Sequence, residues 1–167
     1  MATVKQVLGP EEAQFLATAF PQFLRNAGTN FPVTGLGYDA TTAETAYWKI
    51  KAASYGTGNL TLNLDWYADT ASTGAVVFSA AIAAITPDTD TQDVETKAFA
   101  TALNVTDTHL GTTGQRVHRC SITISNLDSL AADDDVWVKI GRLPADAADT
   151  MAGDAILILA ELTYSDT

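Results

Sequence analysis

The side chains best suited to chemistry fall in one short span: His109, His118 and Cys120 are the only histidines and the only cysteine. Nucleophilic catalysis needs a serine or cysteine beside a histidine that an acid orients. Cys120 lies in HRCSITI, whose alternation is that of a strand, and this makes the thiol a small buried hydrophobe rather than a nucleophile. His118 shares that strand, while His109, in Thr-Asp-Thr-His-Leu, reads as a solvated loop residue. No Gly-x-Ser-x-Gly turn marks a nucleophile elsewhere. Three residues scattered over 109–120 also lack the close grouping of a zinc site, and one cysteine permits no intrachain disulfide.

Oxygen ligands are more plentiful. Asp88-Thr89-Asp90, Asp133-Asp134-Asp135 and the series Asp146, Asp149, Asp154 are acidic enough for calcium, but none has the spacing or glycine of an EF-hand loop. They read as solvated turns. GTTGQRVH (111–118) has glycines but no Gly-Lys-Ser/Thr, and it leads into a strand, so it is not a phosphate loop. Among 20 acids no two stand out as a glycosidase pair. The reading is a chain with no catalytic residues, no metal and no cofactor.

The three tryptophans offer stacking faces instead. Trp66 alternates with Leu60, Leu62 and Leu64 in NLTLNLDWYA, and Trp48 shares a face with Ile50, so both read as core. Trp137, between Val136 and Val138, is the one set to face outward or to meet a partner chain, with Tyr67 as a second exposed aromatic.

The elements that must position these residues are strands. From Phe31 onward short alternating runs are separated by Gly, Pro, Asp, Asn and Thr. The runs are 31–38, 45–52, 59–68, 75–85, 94–100, 116–125, 135–142 and 154–164, with 86–93 and 101–115 as loops. Eight strands without a long helical period predict an all-β, antiparallel jelly-roll sandwich. Upstream, Pro10-Glu11-Glu12 predicts a helix start, and Ala13, Leu16, Ala17 and Phe20 follow helical spacing until Pro21. The predicted organisation is a partly helical N-terminal arm over 1–30 and a jelly-roll domain over 31–167.

At 167 residues, 47% hydrophobic and 17% charged, the chain has the composition of one folded domain. Twenty acids against nine bases give a net charge of −11, which repels phosphate backbones and anionic lipid; neither nucleic acid nor membrane is an expected partner. MATVKQVLGPEEAQ lacks the apolar core of a signal peptide, so synthesis in a cytoplasm is expected.

Two blocks carry a resemblance. ETAYWKIKAASYGTGNLTLNLDWYADTASTGAVVFSAAIAAI (44–85) and LDSLAADDDVWVKIGRLPADAADTMAGDAILILAELTY (127–164) are similar to small jelly-roll virion proteins of tailed bacteriophages, the capsid cement or decoration and head-fibre proteins. The matching positions are Trp48, Trp66, Arg142, Asp149, Thr150, Gly153, Asp154 and Tyr164, which read as fold determinants. Where many relatives carry Gly-Asp before the seventh strand, this chain has Ala132-Asp133-Asp134-Asp135, a departure that touches the turn. The resemblance implies a non-enzymatic component of the outer capsid surface, a homotrimer that binds and stabilises the major capsid protein. The alternative is a head- or tail-fibre module that binds a receptor or glycan. Apolar residues outside the sandwich need a surface to cover them, either the chain's own sheet or a neighbouring subunit or shell; on the second reading Phe15, Leu16, Phe20, Phe23 and Leu24 of the arm, with Trp137, are the expected capsid or subunit interface.

Overall fold

The computed structural model describes residues 1–70, 73–111 and 113–167. Among them are ten strands: β1 (Thr3–Leu8), β2 (Gln22–Asn26), β3 (Val33–Tyr38), β4 (Glu44–Lys51), β5 (Leu60–Ala68), β6 (Ala75–Ile85), β7 (Leu103–Thr108), β8 (His118–Ile124), β9 (Asp135–Arg142) and β10 (Ala155–Ser165). They form two antiparallel sheets, one ordered β2-β3-β10-β5-β8 with β1 also on β10, the other β4-β9-β6-β7. The all-β sandwich predicted from the alternating runs is present, with ten strands where eight were expected.

Alternation explains which faces meet. Leu60, Leu62, Leu64 and Trp66 of β5 point inward and are fully buried, as are Phe78, Ala80 and Ile82 of β6 and Val136, Val138 and Ile140 of β9. Trp66 and Tyr38 each meet Phe78 edge-on, at centroid separations of 5.9 and 6.1 Å. The Tyr38 hydroxyl donates to Ile140 O at 3.0 Å, tying the two sheets together. Its burial holds the phenol protonated far above the ordinary tyrosine range.

The N-terminal helical arm is not seen. Only Pro10–Glu12 turns, as a single 3-10 turn, residues 17–19 bend with Ala19 at a φ of 58°, and no α-helix forms in the segment. Gln14 exchanges both backbone hydrogen bonds with Tyr47, at 2.8 and 3.0 Å, and Thr45 N donates to Ala19 O at 3.0 Å. Residues 14–19 thus run along the outer edge of β4 and occupy donors and acceptors that an edge strand would leave open. A helix this short gains little by itself in water, so the open strand edge decides the conformation. The strap begins from β1, beside Ser165–Ala160 of β10, and ends in β2, beside β3.

Residues 94–100 form no strand, and the seventh strand lies instead at 103–108, inside the expected loop. Its inward positions are Leu103, Val105 and Asp107, and the carboxylate in the third of these hides the alternation. Thr112 of the expected 101–115 loop lies outside the described residues.

Candidate functional site

The outward face of the four-stranded sheet carries the aromatic residues. Tyr47 of β4 stands opposite Lys139 of β9, and Trp137 opposite Lys49. On β6 the outward residues beside them are Ala81, Ala83 and Ile85, of which Ala83 and Ile85 line the floor. Residues 94–100 cross one side of this floor, held by Ala100 N donating to Ile82 O at 2.9 Å. Lys97 pairs with Asp128 at 2.9 Å, and Asp128 also accepts from Ala84 N at 2.9 Å. The strap walls the other side with Phe15 and Leu16.

The result is a groove of about 480 Å³, whose apolar lining includes Phe15, Leu16, Tyr47, Ile85, Phe99 and Trp137. Phe99 and Tyr47 lie 5.9 Å apart, Lys139 Nζ sits 4.8 Å from the Phe99 centroid, and Lys49 Nζ sits 5.0 Å from the Trp137 centroid. Such exposed cation–ring contacts contribute only about 0.5–1 kcal/mol, so a planar ligand face can displace them. Chemically the groove can stack flat apolar faces and hydrogen-bond through Gln14 and Glu95 at its rim.

Of the residues expected at an interface, Phe15, Leu16 and Trp137 meet in this groove. Phe20 packs against Phe15 at 5.7 Å and stays exposed, as does Phe23 on β2. Leu24 is half-buried over the space that a side chain at Gly37 would fill. Tyr47 and Phe99 escaped sequence reading: Tyr47 hides beside the inward Trp48, and Phe99 sits in a run taken for a strand. Tyr67, expected to be exposed, is buried, with its hydroxyl accepting from Asn26 Nδ2 at 3.0 Å.

The histidines form a second cluster. His109 is buried, not solvated: its Nδ1 accepts from Gly111 N and its Nε2 donates to Gly114 O, both at 2.9 Å, so the ring staples the loop. His118 stacks on Trp66 at 4.7 Å and touches the His109 ring at 4.6 Å. Trp66 Nε1 in turn donates to Asp107 at 2.9 Å. Burial, with His109 close by, pushes the His118 pKa below the ordinary histidine value. No hydroxyl or thiol hydrogen-bonds to either ring among the described residues, and burial pushes the Cys120 thiol up to about 12. The cluster is packing, and a protonated thiol is no nucleophile.

Two acidic turns expected to be solvated are also structural. Asp134 is buried and accepts from Ala131 N at 2.7 Å. Asp133 beside it takes a left-handed φ of 65°, a conformation that aspartate tolerates and glycine favours, so the departure from Gly-Asp here keeps a turn. Asp149 is buried against Arg142. Among the described residues, no group of three or more His, Cys, Asp or Glu side chains is placed to hold a metal.

The fold is a jelly-roll sandwich of the kind seen in carbohydrate-binding modules. The CBM36-1 domain of a xylanase from the hindgut metagenome of Trinervitermes trinervoides aligns over 98% of this chain and 100% of its own, at TM-score 0.54 and 8% identity. The xylan-binding module CBM15 aligns over 99% of both chains (TM-score 0.51, 12% identity). The non-crystalline cellulose-specific module CBM28 aligns over 89% of this chain and 85% of its own (TM-score 0.51, 11% identity). No protein family matches the sequence, and neither does any curated protein. At these identities the likeness is one of fold.

Proposed function

We propose that the protein is a non-catalytic binding module that holds a glycan in the aromatic groove on its four-stranded sheet. The observation that carries this reading is the convergence of Tyr47, Phe99 and Trp137 on one open groove floored by Ala83 and Ile85. Sugar rings present apolar C–H faces, and aromatic side chains on a rigid sheet bind them at small entropic cost. The shared fold with modules described as xylan- and cellulose-binding supports the class of ligand. The resemblance of 44–85 and 127–164 to phage virion proteins supports a setting on a head or tail fibre. Affinity electrophoresis against a panel of soluble polysaccharides tests the reading. At least one should retard the protein, and Trp137→Ala should cut that affinity about tenfold or more. Equal mobility in every gel would overturn it.

A second reading, capsid decoration as a homotrimer on the major capsid protein, is favoured by a different observation. Leu16, Phe20, Phe23 and Phe31 are exposed by 63, 43, 45 and 70%. A self-associating or shell-binding surface would cover them. Sedimentation equilibrium tests it: a trimer that Phe20→Ser with Phe23→Ser converts to monomer supports this reading, and a monomer at all concentrations removes its oligomeric part.

A further inference from the structure

The charge on the groove's sheet runs against the charge of the whole chain. Twenty acids and nine bases would give a typical patch an acidic excess. The outward residues of β4, β6 and β9 instead include three lysines, Lys49, Lys51 and Lys139, against one carboxylate, Asp135. Asp135 is shared by Lys49 and Lys51, at 3.6 and 3.5 Å. At the groove wall Lys97 is held by Asp128, and Glu95 adds one carboxylate, so the four lysines around the groove still outnumber Asp128, Asp135 and Glu95 by one.

Lys139 differs. Of the five lysines it alone has no carboxylate within 4.0 Å among the described residues. Its ammonium is held over Phe99 and stands in register with Tyr47, just beyond the groove lining, in the adjoining hollow with Thr45 and Ser79. A ring held against Phe99 and Tyr47 would bring a substituent to this cation. A neutral hydroxyl there leaves the charge uncompensated, whereas an anionic oxygen pairs with it.

From this we infer that the groove selects an acidic saccharide, one whose sugar units carry a carboxylate or sulfate group, with Lys139 as the residue that reads the charge. The inference rests on the glycan-binding reading and adds its specificity.

Isothermal titration with a mannuronate hexamer, a sulfated cellohexaose and unmodified cellohexaose tests it at 20 mM and 300 mM salt. The expected result is a preference of about fivefold or more for an anionic hexamer over cellohexaose at low salt, shrinking at high salt as screening removes it. Lys139→Gln should narrow the acidic-to-neutral ratio toward one, and Lys139→Arg should restore it, with thermal unfolding confirming that both variants fold. A preference confined to the mannuronate or to the sulfated probe supports the inference and identifies the anionic group. Cellohexaose binding as tightly as both anionic probes, or a ratio that Lys139→Gln leaves unchanged, overturns it while glycan binding itself stands. No binding of any probe by the unaltered protein, together with equal mobility across the polysaccharide panel, overturns both.

Discussion

Arg142 and Asp149 form a two-point ion pair sealed from solvent, Nε to Oδ2 at 3.0 Å and one terminal nitrogen to Oδ1 at 2.8 Å. The remaining guanidinium hydrogens go to the carbonyls of Tyr38, Gly153 and Met151, at 3.3, 2.8 and 2.8 Å. All five donors of the side chain are therefore used. Asp149 also accepts from Val77 N, so the pair binds the start of β6, the end of β9 and the loop into β10.

Asp149→Ala leaves a guanidinium buried without its anion, and it should destabilise the protein by about 3–5 kcal/mol. At this chain length that lowers the unfolding temperature by roughly 10 °C. Arg142→Lys keeps the charge but cannot match the fork, so it should also destabilise. Thermal unfolding of the two variants is the measurement. A change within 1 °C for Asp149→Ala would mean that the pair is not the latch described.

His118 predicts a dependence on pH. Burial and the neighbouring His109 and Arg116 depress its pKa, against an opposing pull from Asp107. A group depressed in the folded state binds more protons when unfolded. Stability should therefore be greatest above the unfolded histidine value of about 6.5 and should fall as pH drops through the folded value. His118→Phe keeps a ring on Trp66 and should flatten that part of the curve. Urea midpoints at pH 7.5 and 5.5 check this, and identical slopes for both proteins would sink it.

Gln14→Pro removes the N–H that donates to Tyr47 O and should cost about 1 kcal/mol. It should also loosen the wall formed by Phe15 and Leu16, so affinity for a retained polysaccharide falls in step. Hydrogen exchange at the Tyr47 amide, which donates to Gln14 O, should speed up. An unchanged exchange rate there would show that the strap does not depend on this pairing.

Sequence reading succeeded where alternation is uninterrupted. β5, with its run of inward leucines ending at Trp66, and β9, with Val136, Val138 and Ile140, could be read because one face is wholly apolar. It failed where tertiary partners decide. Residues 13–20 have helical spacing, yet the open edge of β4 draws them into a non-helical strap bonded at Gln14 and Ala19. β7 carries an inward aspartate that satisfies the Trp66 indole, a partner far away in the chain. The groove was half legible, since Trp137, Phe15 and Leu16 were singled out one by one. Their meeting with Phe99 depends on a crossing segment that no local pattern announces.

The position of β10 has a consequence for biosynthesis. It pairs with β1, β3 and β5, so residues 155–165 are the spine of the larger sheet. While a ribosome still holds that stretch, Thr3–Leu8 has no neighbour, and the earlier ribbons wait with greasy flanks bare. Maturation should therefore be slow and late, arriving as one concerted zippering after translation has passed Ser165.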